Sequence, residues 1–219
     1  MAATLLDGVD VAPLADHPVL RLVACGSVDD GKSTLIGRLL AETGSVPDDV
    51  LDYARRTRRG GSTIPPGEVD YSLLTDGLEA EHAQGITIDV AYRHLYLPSG
   101  RRVVIADAPG HEQYTRNMAV AASTADLAIL LVDALRGVRA QTHRHLTVCA
   151  LMGVRSVVVA VNKLDAVGYS RSVFEELAGD VRAAAARFDL PRVTVVPVSA
   201  LAGARRIPDT LEAEAPAPE

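Results

Sequence analysis

The 219-residue sequence contains no Trp and two Cys, and Phe, Trp and Tyr together make up only 4% of it. The two cysteines, Cys25 and Cys149, stand far apart in apolar surroundings. They cannot build a disulfide scaffold, and buried free thiols in a reducing compartment are the expectation. Positive charge is also short, with a net charge of −6, which argues against bulk electrostatic association with nucleic acid and leaves room only for a local basic patch. No apolar run approaches the roughly 18 residues that a membrane span requires. The N-terminal stretch MAATLLDGVDVAPLADHP carries acids rather than Lys or Arg ahead of its apolar residues, unlike a signal peptide. A cytoplasmic protein with no membrane or nucleic-acid partner is expected. Lysine is the scarcest charged residue: of 22 basic side chains only Lys32 and Lys163 are not Arg.

What is present is an alternation of strand-length apolar runs with helix-length amphipathic stretches. Leu20–Cys25, Leu127–Val132 and Val157–Val161 are continuous apolar runs, with a shorter one at Val193–Val198. Val90–Leu97 alternates with period two and turns at Pro98-Ser99-Gly100 into Arg101–Ala106, a hairpin signal. Helical candidates lie at Lys32–Glu42, Glu112–Ala122, Ala140–Met152 and Ser172–Phe188. Strands apolar on both faces and separated by helices predict an α/β fold: a mostly parallel six-stranded sheet with one antiparallel edge strand and helices on both faces. Residues 1–17 read as an N-terminal extension and 18–201 as one domain, with a long insertion at about 43–87. Within that insertion, residues 43–70 carry Pro47, Gly60-Gly61, Pro65-Pro66 and four arginines, and read as a mobile connection. The Ala/Pro/Glu-rich tail, 202–219, reads as disordered.

Gly26-Ser27-Val28-Asp29-Asp30-Gly31-Lys32-Ser33 fulfils G-x-x-x-x-G-K-[ST] between a strand and a helix, with Thr34 following. Glycines let backbone N–H groups turn onto phosphate oxygens, and the helix N-terminus adds positive potential. Lys32 would reach the β- and γ-phosphates, and the Ser33 hydroxyl would bind Mg²⁺. Asp107-Ala108-Pro109-Gly110-His111 follows the Arg101–Ala106 strand, so Asp107 could hold Mg²⁺ through water. The Gly110 N–H could approach the γ-phosphate, and His111 would then lie beside an attacking water. Asn162-Lys163-Leu164-Asp165 follows Val157–Val161. The Asp165 carboxylate suits the N1–H and 2-amino edge of guanine and would be left unpaired by adenine. The Lys163 stem would cover the base, Asn162 would brace the loop, and Ser199-Ala200-Leu201 would offer the Ala200 N–H to guanine O6. Thr87, in Gly85-Ile86-Thr87-Ile88-Asp89, is a further candidate Mg²⁺ ligand. Together these elements point to a P-loop GTP-binding domain that takes Mg²⁺ and GTP.

The spelling GSVDDGKST with DAPGH resembles the GTPases related to translation elongation factors. Over Leu73–Tyr92 and Ala106–Val132 the sequence more narrowly resembles the GTPase subunits of bacterial two-subunit sulfate adenylyltransferase, the ATP sulfurylases. That resemblance, over roughly 18–201, implies a small catalytic subunit as partner. It also implies GTP hydrolysis coupled to the synthesis of adenosine 5′-phosphosulfate and pyrophosphate from ATP and sulfate, with His111 and Lys32 as the catalytic side chains. The pattern departs in two places. The family usually has Thr at the position of Ala108. Its two C-terminal β-barrels are not expected within these residues, and its last GTPase-domain helix reads as no more than a turn near Pro208–Glu212. A fragment and a stand-alone relative both remain open on this reading, as do a translation-factor-like GTPase and a nucleotide-dependent binding module without turnover.

Overall fold

The computed structural model describes residues 19–57, 64–65, 67–75, 89–188 and 190–203. Six strands form one sheet: β1 (Val19–Gly26), β2 (Ala91–Tyr96), β3 (Arg102–Asp107), β4 (Leu127–Asp133), β5 (Ser156–Asn162) and β6 (Arg192–Pro197). Their spatial order is β2-β3-β1-β4-β5-β6. Every pairing is parallel except β2 with β3, where Ala91 faces Asp107 and Tyr96 faces Arg102. The expected hairpin and antiparallel edge are therefore present.

The apolar runs are strands because both their faces are covered. All seven residues of β4 and of β5 are buried. Alternate positions point to opposite cores. Leu22, Ala24, Leu127, Ile129, Leu131 and Val158 pack with Leu35, Ile36, Leu39 and Leu40 of α1 (Lys32–Glu42). Val23, Cys25, Ala128, Leu130, Val132 and Val159 pack on the other face, against three helices. These are α3 (Thr115–Ala122), α4 (Ala140–Leu151) and α5 (Arg171–Ala185). Each fully buried Leu or Val contributes about 1.5–3 kcal/mol of transfer free energy. Cys25 and Cys149 are both buried and unbridged. Their mutual hydrogen bond, with burial second, raises the Cys25 thiol well above its ordinary value.

Two local expectations are corrected. Residues 43–70 do not read through as a connection, because Asp48–Arg56 forms a helix, α2. Its ends carry the usual signals: Pro47 precedes it, Asp48 and Asp49 occupy the first turn, and Arg55 and Arg56 the last. The Pro, Gly and Arg density around it masked these signals. The stretch expected as one helix from Glu112 opens instead with a 3₁₀ turn, Glu112–Tyr114, before α3. The 1–17 extension, Thr87 and the turn at 208–212 lie outside the described residues. Among the described residues no helix is long and apolar enough to cross a membrane.

Candidate functional site

Parallel strands direct all their C-terminal ends to one edge of the sheet, and that edge gathers the motifs. β1 ends in Gly26 and leads through Ser27–Gly31 into α1, which begins at Lys32 with Ser33 and Thr34 in its first turn. Gly31 has φ +89°, and a Cβ there would collide with the Asn162 side-chain amide. Glycine is thus needed for both the backbone conformation and the approach of β5. β3 ends in Asp107 and β5 in Asn162, and Ser199–Leu201 follows β6.

The residues expected at the phosphate end meet directly. Lys32 Nζ lies 2.7 Å from Asp107 Oδ1, and both side chains are buried. Gly110 sits so close to the first loop that a Cβ would stand 2.6 Å from the Gly26 carbonyl oxygen and 3.1 Å from Val28 N. His111 accepts a hydrogen bond from the Gln113 N–H through Nδ1 at 3.4 Å and borders a cavity of about 400 Å³ shared with Ser27, Val28 and Arg136. Ala108 is fully buried within the apolar core and its N–H donates to the Ala24 carbonyl. Pro109 is buried beside it. The side chain at position 108 therefore serves packing.

At the end expected to face the base, Asn162 is a brace. Its Nδ2 donates to the Asp30 carbonyl at 2.8 Å, and its Oδ1 accepts from the Ala200 N–H at 2.9 Å. One buried amide thus joins the first loop to the Ser199–Leu201 turn. The Ala200 N–H, expected to face guanine O6, is engaged within the chain in this geometry. Asp165 Oδ1 accepts from Ser199 Oγ at 2.5 Å. An ionised carboxylate has about four acceptor sites, so capacity for a base edge remains. Leu164 is buried under this loop. Lys163 has φ +62°, a left-handed conformation that costs a non-Gly residue about 1 kcal/mol or more. Its Nζ pairs with Asp133 Oδ2 at 2.8 Å.

Several participants carried no motif. Asp133 ends β4 as Asp107 ends β3, a positional signal visible in LAILLVD. Arg136 donates to the Val28 carbonyl at 3.2 Å and pairs with Asp29 at 3.5 Å and Asp133 at 3.9 Å. Arg38 donates to the Ala200 and Leu201 carbonyls, both at 2.6 Å, fixing the turn from α1. Gln141 of α4 donates to the Gly110 carbonyl at 3.2 Å, and Arg144 pairs with Glu112 at 2.8 Å. Nothing in a chain with so many arginines marks Arg38, Arg136 or Arg144 in advance.

Burial also shifts two titrations. Desolvation pushes the Asp30 carboxyl up to about 6, partly opposed by the Ser27 N–H that it accepts. Burial, and after it the charges of Lys32 and Arg144, push His145 down to about 4. Among the described residues no group of three or more His, Cys, Asp or Glu could hold a metal. The donor set that does occur here, a Ser33 hydroxyl and the Asp107 carboxylate, consists of hard oxygen atoms and fits Mg²⁺ completed by phosphate and water.

Comparison with known proteins identifies the family. Residues 17–214 match the family described as "Elongation factor Tu GTP binding domain". The chain is 51% identical over 203 residues to sulfate adenylyltransferase subunit 1 of Agrobacterium fabrum, covering 92% of this chain and 40% of that protein. It is 51% identical over 195 residues to the bifunctional enzyme NodQ of a Rhizobium species, covering 88% of this chain and 30% of that protein. The chain thus spans about two fifths or less of the length of these relatives. A bacterial selenocysteine-specific elongation factor superposes with TM-score 0.63 at 26% identity, over 88% of this chain and 27% of that one. The Ski7 GTPase-like domain of S. cerevisiae, solved with GTP bound, shares the fold with TM-score 0.71 at 17% identity, over 89% of this chain and 46% of that one. By the extent of that family match, the chain belongs to the elongation factor Tu GTP-binding domain family.

Proposed function

We propose that this domain binds GTP with Mg²⁺ and hydrolyses it, within a protein of the sulfate adenylyltransferase subunit 1 type. The observation that carries the reading is the convergence of four separate motifs on one sheet edge, with Asn162 bonded to both the Asp30 carbonyl and the Ala200 N–H. In this reading Gly26–Thr34 cradle the phosphates and Lys32 stabilises charge developing on the γ-phosphoryl group. Gly110 offers its N–H to the γ-phosphate, and His111 orients the attacking water. Asp165 accepts from the guanine N1–H and 2-amino group, and the Lys163 stem covers the base. Ser33, Asp107 and Thr87 would hold Mg²⁺, which would neutralise phosphate charge when bound. Most of the rate then comes from positioning and fixed charge rather than covalent chemistry.

The half-identical relatives named sulfate adenylyltransferase subunit 1 support a role in sulfate activation. There, GTP turnover would be coupled to adenosine 5′-phosphosulfate formation on a separate small catalytic subunit, in the cytoplasm. Residues 18–201 would form the GTPase domain. The test is a titration of the chain with GDP, GTP and ATP, followed by mixing with such a catalytic subunit, ATP and sulfate. Guanine-selective binding and GTP-dependent pyrophosphate release are expected. Equal affinity for ATP would overturn the base assignment, and GTP hydrolysis with no effect on pyrophosphate release would overturn the coupling.

A further inference from the structure

Asp133 is almost completely buried at the end of β4, yet two cations from different parts of the site converge on one of its oxygens. Lys163 Nζ stands 2.8 Å from Oδ2, and Arg136 Nε stands 3.9 Å from the same atom. Its other oxygen, Oδ1, accepts from the Leu135 N–H at 2.8 Å, which fixes the carboxylate in place. Arg136 reaches away from this junction to the crest of the first loop, with Nη1 on the Val28 carbonyl at 3.2 Å and Nη2 on Asp29 at 3.5 Å. A single chain of contacts therefore runs from Val28 and Asp29 through Arg136 and Asp133 to Lys163.

The far end of this chain is conformationally unusual. Lys163 holds a left-handed backbone with φ +62°, and the residues immediately after it lead to Asp165. A long side chain in that region stays there only while its surroundings enforce it. The ion pair to Asp133 is an enforcing contact from outside the loop. Asp165 itself accepts at Oδ1 from Ser199 Oγ. Release of the Lys163 ammonium would let the 163–165 backbone relax and would move the Asp165 carboxylate relative to a bound base.

We propose that Arg136, acting through Asp133, is a positioning residue for base specificity, although its own direct contacts lie at the phosphate end of the site. This rests on the nucleotide reading above and adds residues to it. Asp133 holds Lys163, Arg136 keeps Asp133 charge-balanced and anchored to Val28 and Asp29, and the discrimination made by Asp165 depends on both.

The test compares GDP with inosine diphosphate, which lacks only the 2-amino group that Asp165 would read. Both ligands are titrated into the full chain and into its Arg136→Met, Asp133→Asn and Arg155→Met variants. Arg155 is exposed just ahead of β5, at the opposite edge of the sheet, and serves as the control. The preference for GDP over inosine diphosphate is expected to fall at least threefold in Arg136→Met and Asp133→Asn and to hold in Arg155→Met. A purely local phosphate role for Arg136 would weaken both ligands equally, and a preserved ratio in Arg136→Met overturns the proposal. The Arg136 side chain is 41% exposed, so that variant decides the question even if Asp133→Asn fails to fold. A wild-type chain that binds neither ligand would instead fail the nucleotide reading and take this proposal with it.

Discussion

Lys32 and Asp107 meet at 2.7 Å as a buried ion pair that joins the start of α1 to the end of β3. Removal of Lys32 leaves the Asp107 carboxylate buried without that counter-charge, at a cost of about 3–5 kcal/mol. Lys32→Ala is therefore expected to lower the melting temperature sharply, and Lys32→Ala/Asp107→Ala to recover much of the loss. Thermal melts of the two variants check this. A Lys32→Ala chain that melts like wild type would show that the pair is not formed in solution.

Gly110 leaves no space for a side chain, since its Cβ would approach the Gly26 carbonyl oxygen to 2.6 Å. That oxygen and the next nearest atoms, of Ser27 and Val28, are all backbone, so the DAPGH segment must shift away from the first loop to admit a methyl group. Gly110→Ala should retain GDP binding within a few-fold while GTP turnover falls at least tenfold, because in the proposed mechanism the displaced N–H and His111 act at the γ-phosphate end. Parallel measurements of GDP affinity and phosphate release separate the two. Wild-type turnover in the variant would refute the close approach.

The two lysines are predicted to resist replacement by arginine. Lys32 is buried with its ammonium on Asp107, and Lys163 places its ammonium 2.8 Å from Asp133, an arrangement in which the proposed mechanism lays its stem along the base. A planar guanidinium fits neither as a compact point charge. Lys32→Arg and Lys163→Arg should each weaken GDP binding at least tenfold in equilibrium titrations. Normal affinity in either would remove the geometric requirement at that position.

Asp30 and His145 oppose one another in acid. Asp30 is raised from 3.8 to about 6, so between those values the folded chain keeps a proton that the unfolded chain has released, and this contribution to stability falls as pH rises. His145 is lowered from 6.5 to about 4, so its contribution is present above 6.5 and is lost as pH falls toward 4. In Asp30→Asn the melting temperature should drop more steeply than wild type on acidification from pH 6.5 to 4.5. In His145→Gln it should drop less steeply, or rise. Melts in a buffer series read the slopes, and two variants running parallel to wild type would contradict the assignment.

Much of this could be read in the sequence, for physical reasons. Strands buried on both faces, such as LAILLVD and SVVVAVN, leave an unbroken apolar signal, and phosphate loops need glycine at fixed spacing. The candidate site residues from Gly26 to Leu201 that the structure describes accordingly fall on one sheet edge. What sequence could not reveal is which motif residues bond to each other. Asn162 and Ala200 are 38 positions apart, yet one hydrogen bond occupies the N–H expected to face guanine O6. Helix α2 was masked by its Pro- and Arg-rich surroundings, although its charged ends follow the helix dipole. Asp133 was absorbed into its apolar strand, and Arg136 was one arginine among many.

GTP hydrolysis by this centre is tested most directly by phosphate release from GTP, measured alongside GTP affinity, for wild type and His111→Ala. Turnover should fall by more than tenfold in the variant with affinity nearly unchanged. An unaltered rate, or a wild-type chain that binds GTP without releasing phosphate, would contradict it.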